Sequence, residues 1–506
     1  MLGMTAIHAV AAAGPIREVV ADLNGIRKWR DSNGDTADPF WADDDALYTF
    51  MCDGRGFGKD VMNLNFNRLG NGDRSSLTGA QVNAMKEYGK GNQKEADNAT
   101  WKVTGQECID GVFYAFVSRN VYGKDNKSDP LMRQSSFNSS LIRSNDRGLT
   151  WTRTAAENLA SPMWPGVRFG APGFIHYGKN GGDVRKDGAD RYVYAVSNNG
   201  FWNGGDDLVL ARVERSKLPL LRAADWTYCA GGGELWTPDI SKAVPVLSRP
   251  SKLGWTSPCF IPALDRYLLV SWHVKPVLRK WFEPGEVVYD FFEAPHPWGP
   301  WNFVSSLSDR FISGGHMYGP NVCAKFQQAG PDGVRVALFT SGCPFDDKPQ
   351  SLYKIWSIPL VLRTEPRAPS RLINDDDPSI SYHGSWQRLR KPGVGYHGGD
   401  LHASRSDGDS VEIVFEGTGI ELISERFEDL GAVEIRIDGQ PRGTVTLGLD
   451  DFPRLVQVPV FSVLDLAPGT HRLTLTNRGA AWASVDGFLV FGGSAKSADS
   501  DRDAAR

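Results

Sequence analysis

Short apolar runs separated by Gly and Pro fill the first 365 positions. They recur as a loose unit: an apolar strand opening near a Pro or Gly, a second strand rich in Tyr, Val and Leu, then a hairpin ending in Trp. Runs of this length bounded by turn residues predict strands rather than helices. About five units fit, at roughly 40–65 residues each. The first holds DPFWADDDALYTF (Asp38 to Phe50) and MNLNFNRL (Met62 to Leu69), and the second GVFYAFVSRN (Gly111 to Asn120) and SSLIRS. The third runs through GAPGFIHYG, RYVYAVSNNG and LVLARVERS to Trp226. The fourth contains SPCFIPALDRYLLVSWH and VVYDFFEAPHPWGPW, and the fifth MYGPNVCAKF, VRVALFTSG and LYKIWSIPLVL. Residues 1–30 stand before this pattern as an extension, and the repeated region spans 31–365. A stretch rich in Pro, Arg and Asp, taken as 366–378, reads as a linker. From 379 to 492 polarity alternates, as in SVEIVFEGTGIELIS (Ser410 to Ser424) and GTHRLTLTN, which predicts a small antiparallel β-sandwich. The charged tail 493–506 is expected to be disordered.

Composition agrees with this pattern. With 16 Trp, 25 Phe, 14 Tyr, 55 Gly and 30 Pro, the chain is expected to be all-β. A formal charge of -4 without any Lys/Arg run argues against nucleic acid as a partner. No apolar run approaches the roughly 20 residues of a membrane helix, so no membrane partner is expected. The six cysteines are far apart and lack C-x-x-C spacing, which argues against zinc. Buried free thiols or a Cys323–Cys343 pair both fit. Ala6 to Ala13 is a short apolar stretch without the basic residues of a full signal peptide, and a secreted or periplasmic location is the expectation. The oligomeric state is open.

The segment Ser144 to Trp151 spells S-x-D-x-G-x-T-W. Asp146 would bond backbone amides across the turn, Gly148 would take the positive φ, and Trp151 would pack beneath. This segment resembles the Asp boxes of sialidases and other carbohydrate-active propellers, which implies a β-propeller; with about five repeated units it would be five-bladed, its inner strands meeting around a central funnel. The C-terminal region resembles the jelly-roll carbohydrate-binding modules of glycosidases at Asp438-Gly439, in the stretch from Leu466 to His471, and at Val485 to Phe488. The first blade resembles that of the arabinanase, arabinofuranosidase and xylosidase propellers through Ala37-Asp38-Pro39. That resemblance implies that Asp38 is a general base at the funnel mouth; a strand-initiating cap is the plainer reading. In those families a second Asp comes from blade two and a Glu acid from blade three. Here blade two offers Glu107 and Asp110, and the inner strand of blade three has no acid. Glu107, next to Cys108 and Ile109, is the preferred general acid, because burial would raise its pKa.

Further candidates surround this pair. Asp43, Asp44 and Asp45 would bind a cation or act on substrate, with Asp44 on the face opposite its neighbours, or form an exposed turn. Cys52 to Gly58 is a Gly-rich loop without the Lys-Ser/Thr of a phosphate loop. Asp53 and Arg55 in it would form a sugar-binding edge, joined by Asn198, Trp202 and Trp255. His176, His273 and His316 lie at or beside inner strands. His316 with Tyr318 and Asn321, helped by Arg168 or Arg55, would suit a polysaccharide lyase acting on a uronate. Three readings follow: a glycoside hydrolase, with an arabinofuranoside-like substrate favoured; a lyase; or a non-catalytic sugar-binding propeller. No cofactor is required; Asp375 to Asp377, Asp400 and Asp486 would host a structural calcium or form solvated loops.

Overall fold

The computed structural model describes residues 14–126, 129–183, 191–275, 286–343, 345, 348, 350–368 and 370–492. The apolar stretch Ala6 to Ala13 and the tail 493–506 lie outside them. The chain divides into two compact units, the first ending at Pro366 and the second running essentially from Arg367.

The first unit consists of five antiparallel sheets, the blades of a propeller. Blade 1 contains Asn33–Asp35, Leu47–Gly56, Met62–Gly70 and Ala80–Asn83, and blade 2 Thr100–Ile109, Val112–Val121 and Ser135–Ser144. Blade 3 is built on Ala171–Phe174, Tyr192–Asn198 and Gly205–Glu214, and blade 4 on Cys259–Ile261, Arg266–Lys275 and Glu286–Ala294. Blade 5 takes His316–Gly330, Gly333–Cys343 and Ile355–Arg363 from the end of the unit. Its edge is completed by Glu18–Ala21 and Arg27–Trp29, both antiparallel to Ile355–Arg363. Residues 14–30 of the expected extension thus belong to the ring, closing it by backbone hydrogen bonds between the two ends of the propeller.

Period-two alternation explains the packing. In Val112–Val121, Phe113, Ala115 and Val117 join a cluster with Phe40, Phe50 and Phe66 of blade 1, while Tyr114 and Phe116 join Phe174 and Ala195 of blade 3. In the next blade Val193 and Ala195 face back and Tyr194 and Val196 face forward onto Phe260 and Leu269. Both faces of each sheet are therefore buried, and each large side chain contributes about 1.5–3 kcal/mol. In blade 2, Asp146 accepts from the amide of Thr150 at 2.9 Å and from its hydroxyl at 2.5 Å. Gly148 sits at φ 88°, where a Cβ would meet the Phe66 ring at 2.1 Å. Trp151 lies 5.2 Å from Phe50 and 5.3 Å from Phe66, centroid to centroid.

The second unit is a β-sandwich. One sheet runs Ser370–Asn374, Gly487–Phe491, Gly419–Arg426, Leu455–Val463, and another contains Ile380–His383, Ser410–Gly417, Gly469–Arg478, Ala432–Ile437 and Gln440–Thr446. In Ser410–Gly417 and Ala432–Ile437 every second residue is buried, the signature of sheets with one wet face. The expected linker is a correction: Ser370–Asn374 lies inside it, yet pairs in register with Gly487–Phe491 as part of the sandwich. All six cysteines are buried free thiols, Cys323 and Cys343 included. Among the described residues no helix is long and apolar enough to cross a membrane, and no group of three His, Cys, Asp or Glu side chains is arranged to hold a metal ion.

Candidate functional site

Five side chains, one from each blade, meet in one hydrogen-bonded network. His176 of blade 3 places Nδ1 2.7 Å from Glu107 Oε2 of blade 2 and Nε2 3.0 Å from Asp38 Oδ1 of blade 1. The Ser257 hydroxyl, beside blade 4, donates to Asp38 Oδ2 at 2.7 Å, and the Ser257 amide donates to Asn321 Oδ1 of blade 5 at 2.8 Å. Asp38, Glu107 and His176 are 1%, 2% and 1% exposed. Burial alone would push the His176 pKa down, but the two carboxylates raise it to about 10, which keeps it protonated. Burial raises that of Glu107, with His176 opposing.

This geometry corrects two expectations. Asp38 and Glu107 are buried where the five blades meet, with their oxygens engaged by His176, Ser257 and the Cys108 amide (2.8 Å). A general acid or base must reach the substrate, and neither residue is in the lining of the cavity that holds Asp35 and Asp53.

A cavity of about 780 Å³ opens elsewhere in the propeller, and its acids are Asp35 and Asp53. Both come from blade 1. Pairing of Asn33 with Gly56 and of Asp35 with Cys52 leaves Gly34 opposite Asp53, Gly54 and Arg55, a bulge. Asp53 adopts φ 53°, and a Cβ on Gly54 would lie 2.3 Å from the Asn33 carbonyl oxygen. The arch is pinned by the Arg55 amide donating to Asn33 Oδ1 (3.2 Å), Asn65 Nδ2 donating to the Gly54 carbonyl (3.0 Å) and the Tyr353 hydroxyl donating to the Asp53 carbonyl (2.9 Å). Bulges of this kind re-aim side chains, here turning Asp53 into the cavity.

The two carboxyl groups are held alike but differ in their charged neighbours. Asp35 Oδ2 accepts from the Tyr318 hydroxyl at 3.0 Å, and Asp53 Oδ2 from the Tyr122 hydroxyl at 2.9 Å. Asp53 Oδ2 also meets Lys102 Nζ. On each residue Oδ1 is buried without a hydrogen-bond partner. Burial raises the Asp35 pKa to about 6, with Lys102 opposing and Asp53 adding to it. The Tyr318 phenol is pushed far up by burial and by Asp35, so it stays a donor. Aromatic rings wall the cavity: Trp272 beside Tyr318 at 5.8 Å, and Phe345 edge-on to Tyr353 at 5.1 Å. Trp202, another lining residue, stacks on Trp255 at 4.9 Å.

Of the expected site residues, the structure brings Asp53, Trp202 and Tyr318 into this cavity. The others lie outside its lining, each for a local reason. Asp44 accepts from the Tyr48 hydroxyl (2.9 Å) and pairs with Arg147 (2.6 Å), and Asp43 also reaches Arg147, so this triplet is a turn tied down by ion pairs. The Arg55 guanidinium donates to the carbonyls of Asp31 and Gly58. Arg168 pairs with Asp207 at 3.1 Å. Asn198 braces the Phe201 and Leu253 carbonyls, and Trp255 donates to the Thr104 carbonyl. His273 lies 3.5 Å from Asp290, its pKa lowered chiefly by burial, and His316 lies 3.6 Å from Asp309. Asn321 belongs to the axial network. The His–Tyr–Arg set of a lyase is thus not assembled: Tyr318 reaches the cavity without His316 or either arginine.

Sequence reading missed Asp35 and Lys102. Gly34-Asp35 and Asp53-Gly54 place an acid beside a glycine on two neighbouring strands, and TWKVTGQECI carries a lone Lys in an otherwise uncharged run before Glu107. Those were the signals available.

No protein-family model and no curated protein matches this chain. Among solved structures it is similar to an exo-β-1,3-galactanase from Phanerochaete chrysosporium bound to β-1,3-galactotriose, at TM-score 0.39 and 11% identity, covering 94% of this chain and 100% of that one. It is similar to a glycoside hydrolase at TM-score 0.34 and 10% identity, covering 92% and 100%. A family two carbohydrate esterase from Cellvibrio japonicus matches at TM-score 0.19 and 14% identity over 25% of this chain and 34% of its own. Likeness this distant leaves the chemistry to be read from the residues of this chain.

Proposed function

We propose that this protein is a glycoside hydrolase whose catalytic carboxyl groups are Asp35 and Asp53. One observation carries the reading: two neighbouring carboxyls in an aromatic-walled cavity, each with one oxygen fixed by a tyrosine hydroxyl and the other without a partner. Asp35, with its pKa at about 6, is the general acid that protonates the leaving oxygen. Asp53, paired with Lys102, is the ionised partner that faces the oxocarbenium-like transition state or activates water. The aromatic walls suit the apolar faces of sugar rings, and the cavity is large enough for several of them.

A neutral glycan is the substrate class we favour, since the buried cation of the lining, Lys102, is already paired with Asp53 and its other cation, Lys124, is exposed to solvent. Arabinofuranosides and galactosides head the panel to be tested. Reducing-end release from arabinans, galactans and their aryl glycosides is expected with the wild type and to fall by about 10²–10⁴-fold in Asp35→Asn and Asp53→Asn. Undiminished cleavage in either variant would remove that residue from the mechanism, and release of unsaturated product would move the reading to a lyase.

A further inference from the structure

We propose that Lys102 and Tyr122, both from blade 2, are positioning residues that hold Asp53 as the ionised member of the pair and so leave the transferable proton on Asp35. The proposal rests on the hydrolase reading above and adds what makes two similar carboxyls unequal.

Both carboxyl groups have a tyrosine hydroxyl on Oδ2 and an unpartnered Oδ1, so their hydrogen bonding is symmetrical. Lys102 breaks the symmetry. It is 2% exposed, in a strand whose ten residues are all buried, and its Nζ meets the same Asp53 oxygen that accepts from Tyr122. A buried ammonium is costly unless paired, so a lysine in this strand is explained by the anion it faces. Its Nζ also lies 5.4 Å from the Tyr122 ring centroid, so phenol and ammonium form one clamp around Asp53 Oδ2. Other ionisable groups near this clamp include Asp35 and Cys52 of blade 1 and Tyr318 and Tyr353 of blade 5, with the exposed Lys124 in the same lining. Burial raises the Cys52 thiol to about 12 and Tyr353 well above its usual value, so Asp35 is the group left to exchange a proton with Asp53. Without Lys102, two buried carboxyls would share one cavity and divide one proton between them.

The test compares wild type, Lys102→Met, Lys102→Arg and Tyr122→Phe by carbodiimide coupling of a small amine at pH 6, with peptide mass spectrometry reading Asp35 and Asp53 separately. This needs no substrate, so it stands apart from the hydrolase reading, which fails if the wild type cleaves no glycoside. Asp53 labelling is expected to rise about tenfold in Lys102→Met and to stay at the wild-type level in Lys102→Arg. With a cleaved aryl glycoside, Lys102→Met is expected to lower kcat far more than it changes KM. If Lys102→Met does not fold, Tyr122→Phe supplies the answer, with Asp53 labelling raised about threefold. Unchanged Asp53 labelling in a folded Lys102→Met, or in Tyr122→Phe where only that variant folds, overturns the proposal.

Discussion

Asp38 commits both carboxylate oxygens to His176 and Ser257, whereas Asp35, in the same chain segment, lines the cavity and keeps one oxygen without a partner. The same substitution should therefore have opposite consequences at the two positions. Asp38→Asn weakens a buried charge pair, for which a loss of about 3–5 kcal/mol is expected, with turnover per folded molecule retained. Urea unfolding and active-site-normalised rates check both halves. Asp35→Asn should do the reverse, abolishing turnover with little loss of stability. A pH profile adds a second test at this residue. A general acid works only while protonated, and the Asp35 pKa is raised to about 6, so kcat/KM should fall as pH rises through that value. A profile flat from pH 5 to 8 would exclude Asp35 as the acid.

At the level of strands, blade 1 shows why the architecture could be read from the chain and its chemistry only in part. Sheets buried on both faces produce the apolar runs of GVFYAFVSRN and RYVYAVSNNG, and that signal survives small errors of register. The direction of one acid does not survive them. The bulge opposite Gly34 decides that Asp53 turns inward, and it depends on contacts with Asn33, Asn65 and Tyr353 that no local pattern encodes. Asp53 was legible as a residue of a cavity wall because a Gly-rich loop marks close approach. Asp38 was misplaced because a short motif states what begins a strand, not what the side chain meets. Gly54→Ala isolates the bulge. Its Cβ would lie 2.3 Å from the Asn33 carbonyl oxygen and 2.4 Å from Gly34 Cα, so the strands must part. A cost of about 1–3 kcal/mol is expected, with activity lost beyond what the lower melting temperature explains.

The propeller as a whole is closed twice, at its edge by Glu18–Ala21 on Ile355–Arg363 and at its centre by the five-blade network around His176. The central closure makes stability depend on pH in a definite direction. The folded His176 pKa, about 10, lies above the unfolded value near 6.5, so the folded state binds the proton more tightly. Its contribution is complete below about pH 6.5 and is lost as pH rises through about 10. Glu107, also raised, shifts the balance the same way, since its proton too is held more tightly in the folded state. Stability should therefore decline between pH 7 and 10 by an amount on the order of a few kcal/mol, followed as the urea midpoint at fixed ionic strength. The decisive control is His176→Gln with Asp38→Asn and Glu107→Gln, which replaces the charged network by neutral amides. Its alkaline slope should flatten, even if its overall stability is lower. An unchanged slope in that triple variant would show that the pH dependence arises elsewhere and that His176 is not protonated at the propeller axis.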